Sequence, residues 1–209
     1  MKAGCRPDNF VSLFILIYRV ITHLVIFFKK IGKSRNIKNK NHMETSKPAP
    51  ITVDPTGGEI LSVAGGNYRI LVSGKQTNGA FSTIEMLVPP RNGPGPHSHA
   101  NFYESFYIVD GELEVYSEAG SYTAKKGSFV VVPEGGIVHY FKNVSDKMAQ
   151  LLCIVVPAGL EEFFEEIGEP VDMGKFLPPT PMDPESIKNL QAIAMKHGQE
   201  LYPPNYLDL

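Results

Sequence analysis

Three histidines and one glutamate are the residues of this sequence whose types and spacing could do chemistry together. His97 and His99 are two residues apart, and side chains two apart lie on the same face of a β-strand, so both rings could reach one ion. Glu104 and His139 each interrupt an apolar stretch. A lone carboxylate on an apolar inward face costs on the order of several kcal/mol unless it is paired or bound to a metal. The four residues therefore predict one shared metal ion.

The elements that must position these residues are predicted to be β-strands. Between residues 58 and 156, short runs rich in Val, Ile, Phe and Tyr are separated by Gly, Pro, Asn and Asp, which is typical of an all-β domain. Repeated hairpins without intervening helices favour a sandwich or a closed barrel, and we expect the barrel. The predicted strands are Glu59–Val63, Tyr68–Ser73, Phe81–Val88, Phe102–Val109, Glu112–Ser117, Ser121–Ala124, Phe129–Val132, Val138–Lys142 and Gln150–Val156.

Asp110 and Gly111 are predicted to form a two-residue hairpin turn. They stand between two runs of alternating residues, and Asp-Gly suits a turn in which both positions have positive φ. We therefore expect Phe102–Val109 and Glu112–Ser117 to be antiparallel neighbours.

Glu104 requires a turn before it. It lies five residues beyond His99, an offset that would place the two side chains on opposite faces of one continuous strand. We expect the turn near residues 100–101, with Glu104 at the start of the next strand. There Glu104 shares a face with Phe106 and Ile108, which is the pattern of a barrel interior.

His139 is flanked in the same way by Ile137 and Phe141, so its ring is also expected to point inward. Apolar side chains on the inward faces should then form the walls of a dry cavity beside the ion. The residues predicted for these walls are Phe102, Phe106, Phe141, Met86 and Ile108.

Residues 157–209 are predicted to add helices to the barrel. Leu160–Ile167 has apolar and acidic residues at helical spacing, and Asp183 followed by proline is a good helix start. The second helix should run to about Lys196 and stop at Gly198. We expect both helices to cover an edge or mouth of the barrel, with a proline-rich linker between them and an extended tail after them.

Residues 1–42 form an apolar and basic segment with two interpretations. Residues 11–28 could form a hydrophobic helix about long enough to cross a bilayer, and the lysines and arginine that follow would leave the barrel in the cytoplasm. Alternatively, the native chain begins at Met43, where composition changes abruptly, and residues 1–42 are a start-site artefact. Residues 43–57 are expected to be a polar lead-in to the barrel at 58–156.

Charge and cysteine content limit the classes of partner. The 209 residues carry 20 basic and 22 acidic side chains, so there is no electrostatic footprint for nucleic acid, and a small-molecule substrate is expected. Cys153 lies in an apolar run and is predicted to be a buried free thiol that serves as a small apolar filler, while Cys5 lies far away in the N-terminal segment. Nothing in this spacing suggests a disulfide framework.

Two sequence segments resemble the two motifs of the cupin family. The first runs from Gly93 to Gly111 and the second from Gly127 to Asn143, with one residue more between Gly135 and the following histidine than the usual motif has. The motif residues of the first segment are His97, His99 and Glu104, and those of the second are Gly127, Pro133, Gly135, His139 and Asn143.

This resemblance implies a cupin-type jelly-roll barrel in which His97, His99, Glu104 and His139 bind one divalent transition metal ion. Iron, manganese, nickel, cobalt, copper and zinc all suit such a donor set. The chain looks most similar to quercetin dioxygenase-like cupins, which implies dioxygen as a co-substrate, a flavonol-like enol as substrate, Glu104 as the proton acceptor, and a homodimer. A non-catalytic binding cupin and a sugar isomerase or epimerase remain alternatives.

Overall fold

A computed structural model of the chain describes residues 49–178 and 182–208. The predicted hydrophobic helix at 11–28, Cys5 and the alternative start at Met43 lie outside these residues. Within the described ranges, no helix combines the length and the apolar character that crossing a membrane requires.

Within residues 49–178 and 182–208, twelve strands form two sheets in which paired strands are antiparallel, so the predicted all-β barrel class is confirmed. The seven-stranded sheet has the order β11-β1-β2-β3-β10-β5-β8, and the five-stranded sheet has the order β12-β4-β9-β6-β7. The strands are β1 Glu59–Val63, β2 Gly66–Val72, β3 Ser82–Val88, β4 His97–His99, β5 Tyr103–Asp110, β6 Glu112–Ser117, β7 Gly120–Lys125, β8 Phe129–Val132, β9 His139–Lys142, β10 Ala149–Val156, β11 Glu169–Pro170 and β12 Gln199–Leu201.

Alternation along the strands builds a core that both sheets share. In β3 every second residue is buried, and β10 follows the same period, as expected for strands with one face toward the interior. Phe106 from the seven-stranded sheet meets Phe141 from the five-stranded sheet edge to face, with ring centroids 5.4 Å apart. The inward faces of the two sheets therefore pack as one hydrophobic core.

The predicted hairpin at Asp110 and Gly111 is wrong. Strand β5 pairs with β10 and β8, whereas β6 pairs with β7 and β9 in the other sheet. Gly111 has a φ of 76°, but Asp110 lacks the positive φ that a two-residue hairpin needs. This glycine instead turns the chain around a barrel corner, where a Cβ would lie 2.8 Å from the carbonyl oxygen of Met148.

Helices and a further strand follow the barrel. The described helices are α1 Gly74–Thr77, α2 Leu160–Ile167 and α3 Pro184–Lys196. The side chain of Asp183 caps α3 by accepting a hydrogen bond from the backbone N–H of Ser186 at 2.7 Å, and α3 ends just before Gly198, as predicted. In α2, Phe164 packs edge to face on Tyr68 of the barrel at 4.9 Å.

The strand β12, Gln199–Leu201, was missed by the sequence analysis, which placed only an extended tail after α3. This strand pairs antiparallel with β4, the strand that carries His97 and His99. The residues of β12 follow a glycine, and they alone have no strand signature. Their pairing therefore depends on the exposed edge of β4. The predicted strands also omitted β4 and β11, and the one-turn helix α1 was missed. The bounds of the other strands differ from prediction by no more than two residues.

Gly93 is expected to be indispensable to the strand that carries His139. A Cβ at Gly93 would overlap the carbonyl oxygen of Phe141 in β9, and the φ of Gly93 is 156°. Gly93→Ala should therefore lower the free energy of unfolding in urea by about 1–3 kcal/mol. Gly95→Ala is the control, because no atom lies within 4 Å of a Cβ at Gly95. Equal stabilities for the two variants would contradict this account.

Glu161 should make stability dependent on pH. Burial would raise the pKa of its carboxyl, but hydrogen bonds that include those from the backbone N–H groups of Gly74 and Gly159 hold that pKa below its ordinary value of 4.5. The stabilisation is thus present above pH 4.5 and is lost as pH falls through the lowered pKa. Urea unfolding of Glu161→Gln from pH 7 to pH 3 should show a deficit relative to the native protein that shrinks in acid.

The matched control for this measurement is Glu162→Gln, since Glu162 is exposed on the same turn of α2. It should unfold like the native protein throughout the pH range. A deficit for Glu161→Gln that does not change with pH would show that the carboxylate is not responsible.

Candidate metal centre

The four predicted ligands come from three strands in two sheets. His97 and His99 lie on β4 and His139 begins β9, with His97 and His139 paired directly across the five-stranded sheet. Glu104 lies at the start of β5 in the seven-stranded sheet. The predicted turn between His99 and Glu104 is present, since β4 ends at residue 99 and β5 begins at residue 103.

The side chains converge on the carboxylate of Glu104. Its Oε2 lies 3.3 Å from Nε2 of His99 and 3.2 Å from Nε2 of His139. One ligand atom each from His97, Glu104 and His139 lies within 4.8 Å of the others. The ring centroid of His97 lies 4.4 Å from that of His139 and 6.3 Å from that of His99. The structure thus brings all four together, with His97, Glu104 and His139 as the compact group and His99 joined through Glu104.

Each of the three rings is oriented by a backbone carbonyl. Nδ1 of His97 lies 2.9 Å from the carbonyl oxygen of Gly95. In His99 and His139, Nδ1 lies 3.0 Å from a backbone carbonyl oxygen. A carbonyl only accepts, so Nδ1 carries the hydrogen and Nε2 carries the lone pair. This is the arrangement that orients a metal-binding histidine from outside the ligand shell. The carbonyl partners of His99 and His139 are Phe102 and Ile137.

A cation fits between these groups. With Nδ1 donating, neutral His99 and His139 would each turn a lone pair toward the same negatively charged oxygen of Glu104. These residues are 2%, 1% and 3% exposed, so water cannot relieve that repulsion. Either a proton on each ring or a cation is needed. Three imidazole nitrogens and a carboxylate are donors that suit a divalent transition metal.

The electrostatics keep the residues in the forms that bind metal. Burial by itself would raise the pKa of Glu104, but the close contacts with His139 and His99 outweigh burial and hold that pKa well below its ordinary range. Burial and the nearby His139 lower the pKa of His97 to about 4. At neutral pH the carboxylate is therefore ionised and His97 is neutral, and both states are required for ligation.

Cys153 contributes to the site in a way that the sequence analysis missed. Its thiol is fully buried, as predicted, but it also donates a hydrogen bond to Oε1 of Glu104 at 3.3 Å. Burial and the neighbouring carboxylate raise the pKa of the thiol well above its ordinary value. The thiol thus remains protonated and holds the Glu104 oxygen that the histidines do not contact. The strand period of β10 placed Cys153 on the inward face, but an apolar role was the simpler interpretation.

An apolar cavity of about 540 Å³ opens beside His97 and Glu104. It lies between the barrel and the helices α2 and α3, and the segment after β12 closes one side. This volume is within the range of cavities that hold small molecules. Its apolar walls include Phe163, Phe164 and Ile167 of α2, Ile187 and Leu190 of α3, and Leu201 of β12.

The predicted cavity walls are partly correct. Met86 and Phe141 line the cavity. Phe102, Phe106 and Ile108 are not among its lining residues and lie in the barrel core, where Phe102 stacks on the ring of His99 with centroids 4.1 Å apart. These three residues were wrongly predicted because strand alternation indicates only that a side chain is buried. It does not indicate whether that side chain packs in the core or lines a cavity.

Comparisons with known proteins agree with this architecture. The family model described as a cupin domain matches residues 84–155. The chain is 23% identical over 153 residues to a quercetin 2,3-dioxygenase of Bacillus subtilis (strain 168), which covers 70% of this chain and 44% of that protein. It is 28% identical over 108 residues to a quercetin 2,3-dioxygenase of Aspergillus japonicus, which covers 48% of this chain and 30% of that protein. The chain thus spans less than half the length of these two relatives.

Among solved structures, the chain is similar to a cupin-superfamily protein from Silicibacter pomeroyi that is described as a sugar phosphate isomerase. The identity is 20%, the TM-score is 0.45, and the match covers 52% of this chain and 76% of that one.

The family match and the geometry coincide on the same residues. The matched range runs from β3 to β10 and contains Glu104 and the three histidines around it. Residues 84–155 therefore match the cupin domain family, and this range contains the candidate metal centre.

Proposed function

We propose that this protein is a metal-dependent dioxygenase that acts on an aromatic small molecule with an enol hydroxyl, of the flavonol class. His97, His99, Glu104 and His139 would hold one divalent transition metal ion. Dioxygen is the co-substrate, and both of its atoms are added to the organic substrate. The names of the two curated relatives support this reaction class, and the site supports its chemistry.

One observation carries the proposal: Glu104 belongs both to the ligand cluster and to the wall of the apolar cavity. A substrate in the cavity would thus lie against an ionised carboxylate that is surrounded by imidazole nitrogens. Dioxygenation of an enol needs a base at the enol hydroxyl and a cavity from which water is excluded. The position of the Glu104 carboxylate at the wall of this apolar cavity supports both requirements.

Glu104 is suited to accept the enol proton only when the enol is acidified. Its low pKa keeps the carboxylate ionised, but the same low pKa makes it a weak base. A bound divalent metal would supply the missing acidity by stabilising the negative charge of the deprotonated enol. Cys153 keeps Glu104 oriented through Oε1, which leaves Oε2 on the histidine side.

The lining of the cavity favours an aromatic substrate over a phosphorylated sugar. Among the described lining residues there is no lysine or arginine, and a phosphate would need such a partner in an apolar pocket. Phe163, Phe164 and Leu190 instead offer flat or aliphatic surfaces. The sugar isomerase alternative therefore has less support than the dioxygenase. A non-catalytic cupin that binds metal and ligand differs from the dioxygenase in a single respect, which is turnover.

The proposed function predicts that the protein binds a metal ion. Protein that has been stripped with a chelator and then offered iron, manganese, nickel, cobalt, copper or zinc separately should bind one ion per chain. His139→Ala should weaken binding by more than about 100-fold, because loss of a ligand exceeds the cost of losing an outer partner. His197→Ala is the control, because His197 lies at the end of α3 and contacts Glu166 of α2 instead of Glu104. Failure of every ion to bind stoichiometrically would refute the site.

The proposed function also predicts that Glu104 is needed for dioxygen uptake. Glu104→Gln keeps the shape of the side chain but cannot accept a proton, so dioxygen uptake with quercetin should fall by about 100-fold or more. The three histidines should still retain metal, although more weakly. Glu134→Gln, on the exposed turn before β9, should leave uptake unchanged. Undiminished uptake by Glu104→Gln would exclude the proposed base.

Dioxygen consumption by the native protein distinguishes the dioxygenase from a non-catalytic binding cupin. If metal-loaded protein binds quercetin and other enols yet consumes no dioxygen with any of them, the non-catalytic interpretation is correct and the dioxygenase proposal fails.

A further inference from the structure

Gln199 is a buried amide without a partner. It begins β12 and is 5% exposed, and its Nε2 makes no hydrogen bond within the described part of the chain. Buried side-chain donors are paired in the large majority of cases, because an unpaired amide loses its hydrogen bonds to water without replacement. An exception beside a cavity indicates a group whose partner is a ligand.

The sheet register directs Gln199 toward the metal centre. In the β12–β4 pair, Gln199 lies opposite His99 and Leu201 lies opposite His97. Residues directly opposite in an antiparallel pair have side chains on the same face of the sheet, close to each other. Because His99 points inward to Glu104, Gln199 lies on the inward face beside it. Leu201, two residues further on, lines the same cavity together with Gln199.

Two other polar groups around the cavity already have partners. The hydroxyl of Tyr202 donates to Glu200 at 2.9 Å, and Nδ1 of His97 is bonded to the oxygen of Gly95. Glu104 faces His99 and Cys153 as described above. The amide of Gln199 has no such engagement, and much of the surface around it is aliphatic or aromatic. A ligand in this cavity would thus find a hydrogen-bond donor next to the ligand cluster.

We propose that Gln199 is a specificity-determining residue whose amide donates a hydrogen bond to a carbonyl oxygen of an aromatic ligand. The class of ligand rests on the proposed function, but the donor role rests on the burial and register of Gln199. Gln199 lies outside the cupin match at residues 84–155, so this contact would come from the C-terminal segment and not from the domain itself. An analogue without the carbonyl would leave the amide unpaired and bind less tightly.

The test compares two probes that cannot be turned over as enols. Flavone has the carbonyl but no enol hydroxyl, and flavan has the same ring skeleton without the carbonyl. Metal-loaded native protein should bind flavone about tenfold more tightly than flavan, as expected for one hydrogen bond to a buried amide. Gln199→Leu should remove this preference. Gln191→Leu is the matched control, because Gln191 also lines the cavity but is exposed on α3, and it should keep the preference.

Thermal unfolding checks that each variant is folded, and Gln199→Met replaces Gln199→Leu if the latter is not. A native protein that does not prefer flavone, or a folded Gln199 variant that keeps the preference, overturns the proposal. Failure to bind either probe also overturns it. The outcome is independent of the dioxygenase proposal: lost dioxygen uptake with an intact flavone preference would refute only the reaction, and the reverse result would refute only Gln199.

Discussion

The rest of the site depends on one interaction, which is the contact of a carboxylate oxygen with two imidazole nitrogens inside an apolar barrel. In water such a group would be solvated, but here Glu104, His99 and His139 are almost completely buried. Each surrounding contact constrains the same arrangement: backbone carbonyls hold the outer nitrogens of the rings, and Cys153 holds the other carboxylate oxygen. Because the ring Nδ1 atoms and Oε1 of Glu104 are engaged elsewhere, the ring Nε2 atoms and Oε2 are left to face one another.

The distribution of these groups over both sheets couples the site to the fold. Glu104 and Cys153 lie on adjacent strands of the seven-stranded sheet, where Glu104 pairs with Val155 and Cys153 pairs with Phe106. The histidines lie on the five-stranded sheet. The cluster thus exists only when the two sheets are packed, and any binding energy for a cation adds directly to the stability of the closed barrel.

Local periodicity was sufficient to predict much of the site, and it failed where distant parts of the chain decide. The two-residue spacing of His97 and His99, and the offset that required a turn before Glu104, follow from strand geometry alone. Asp110-Gly111 has the chemistry of a hairpin, but barrel closure sends the next strand to the other sheet. The role of Cys153 depends on a residue 49 positions earlier, and no local pattern shows that distance.

Strand β12 has a consequence for the order in which the molecule is made. The histidine strand β4 pairs with β9 at a single position, His97 with His139, but it pairs with β12 at three positions. During synthesis on the ribosome, β12 emerges after every other strand, behind both C-terminal helices. The nascent cupin domain would therefore leave the exit tunnel with an open edge beside its histidines. Because β12 pairs with this edge, we expect the centre to mature only after Gln199–Leu201 has been made.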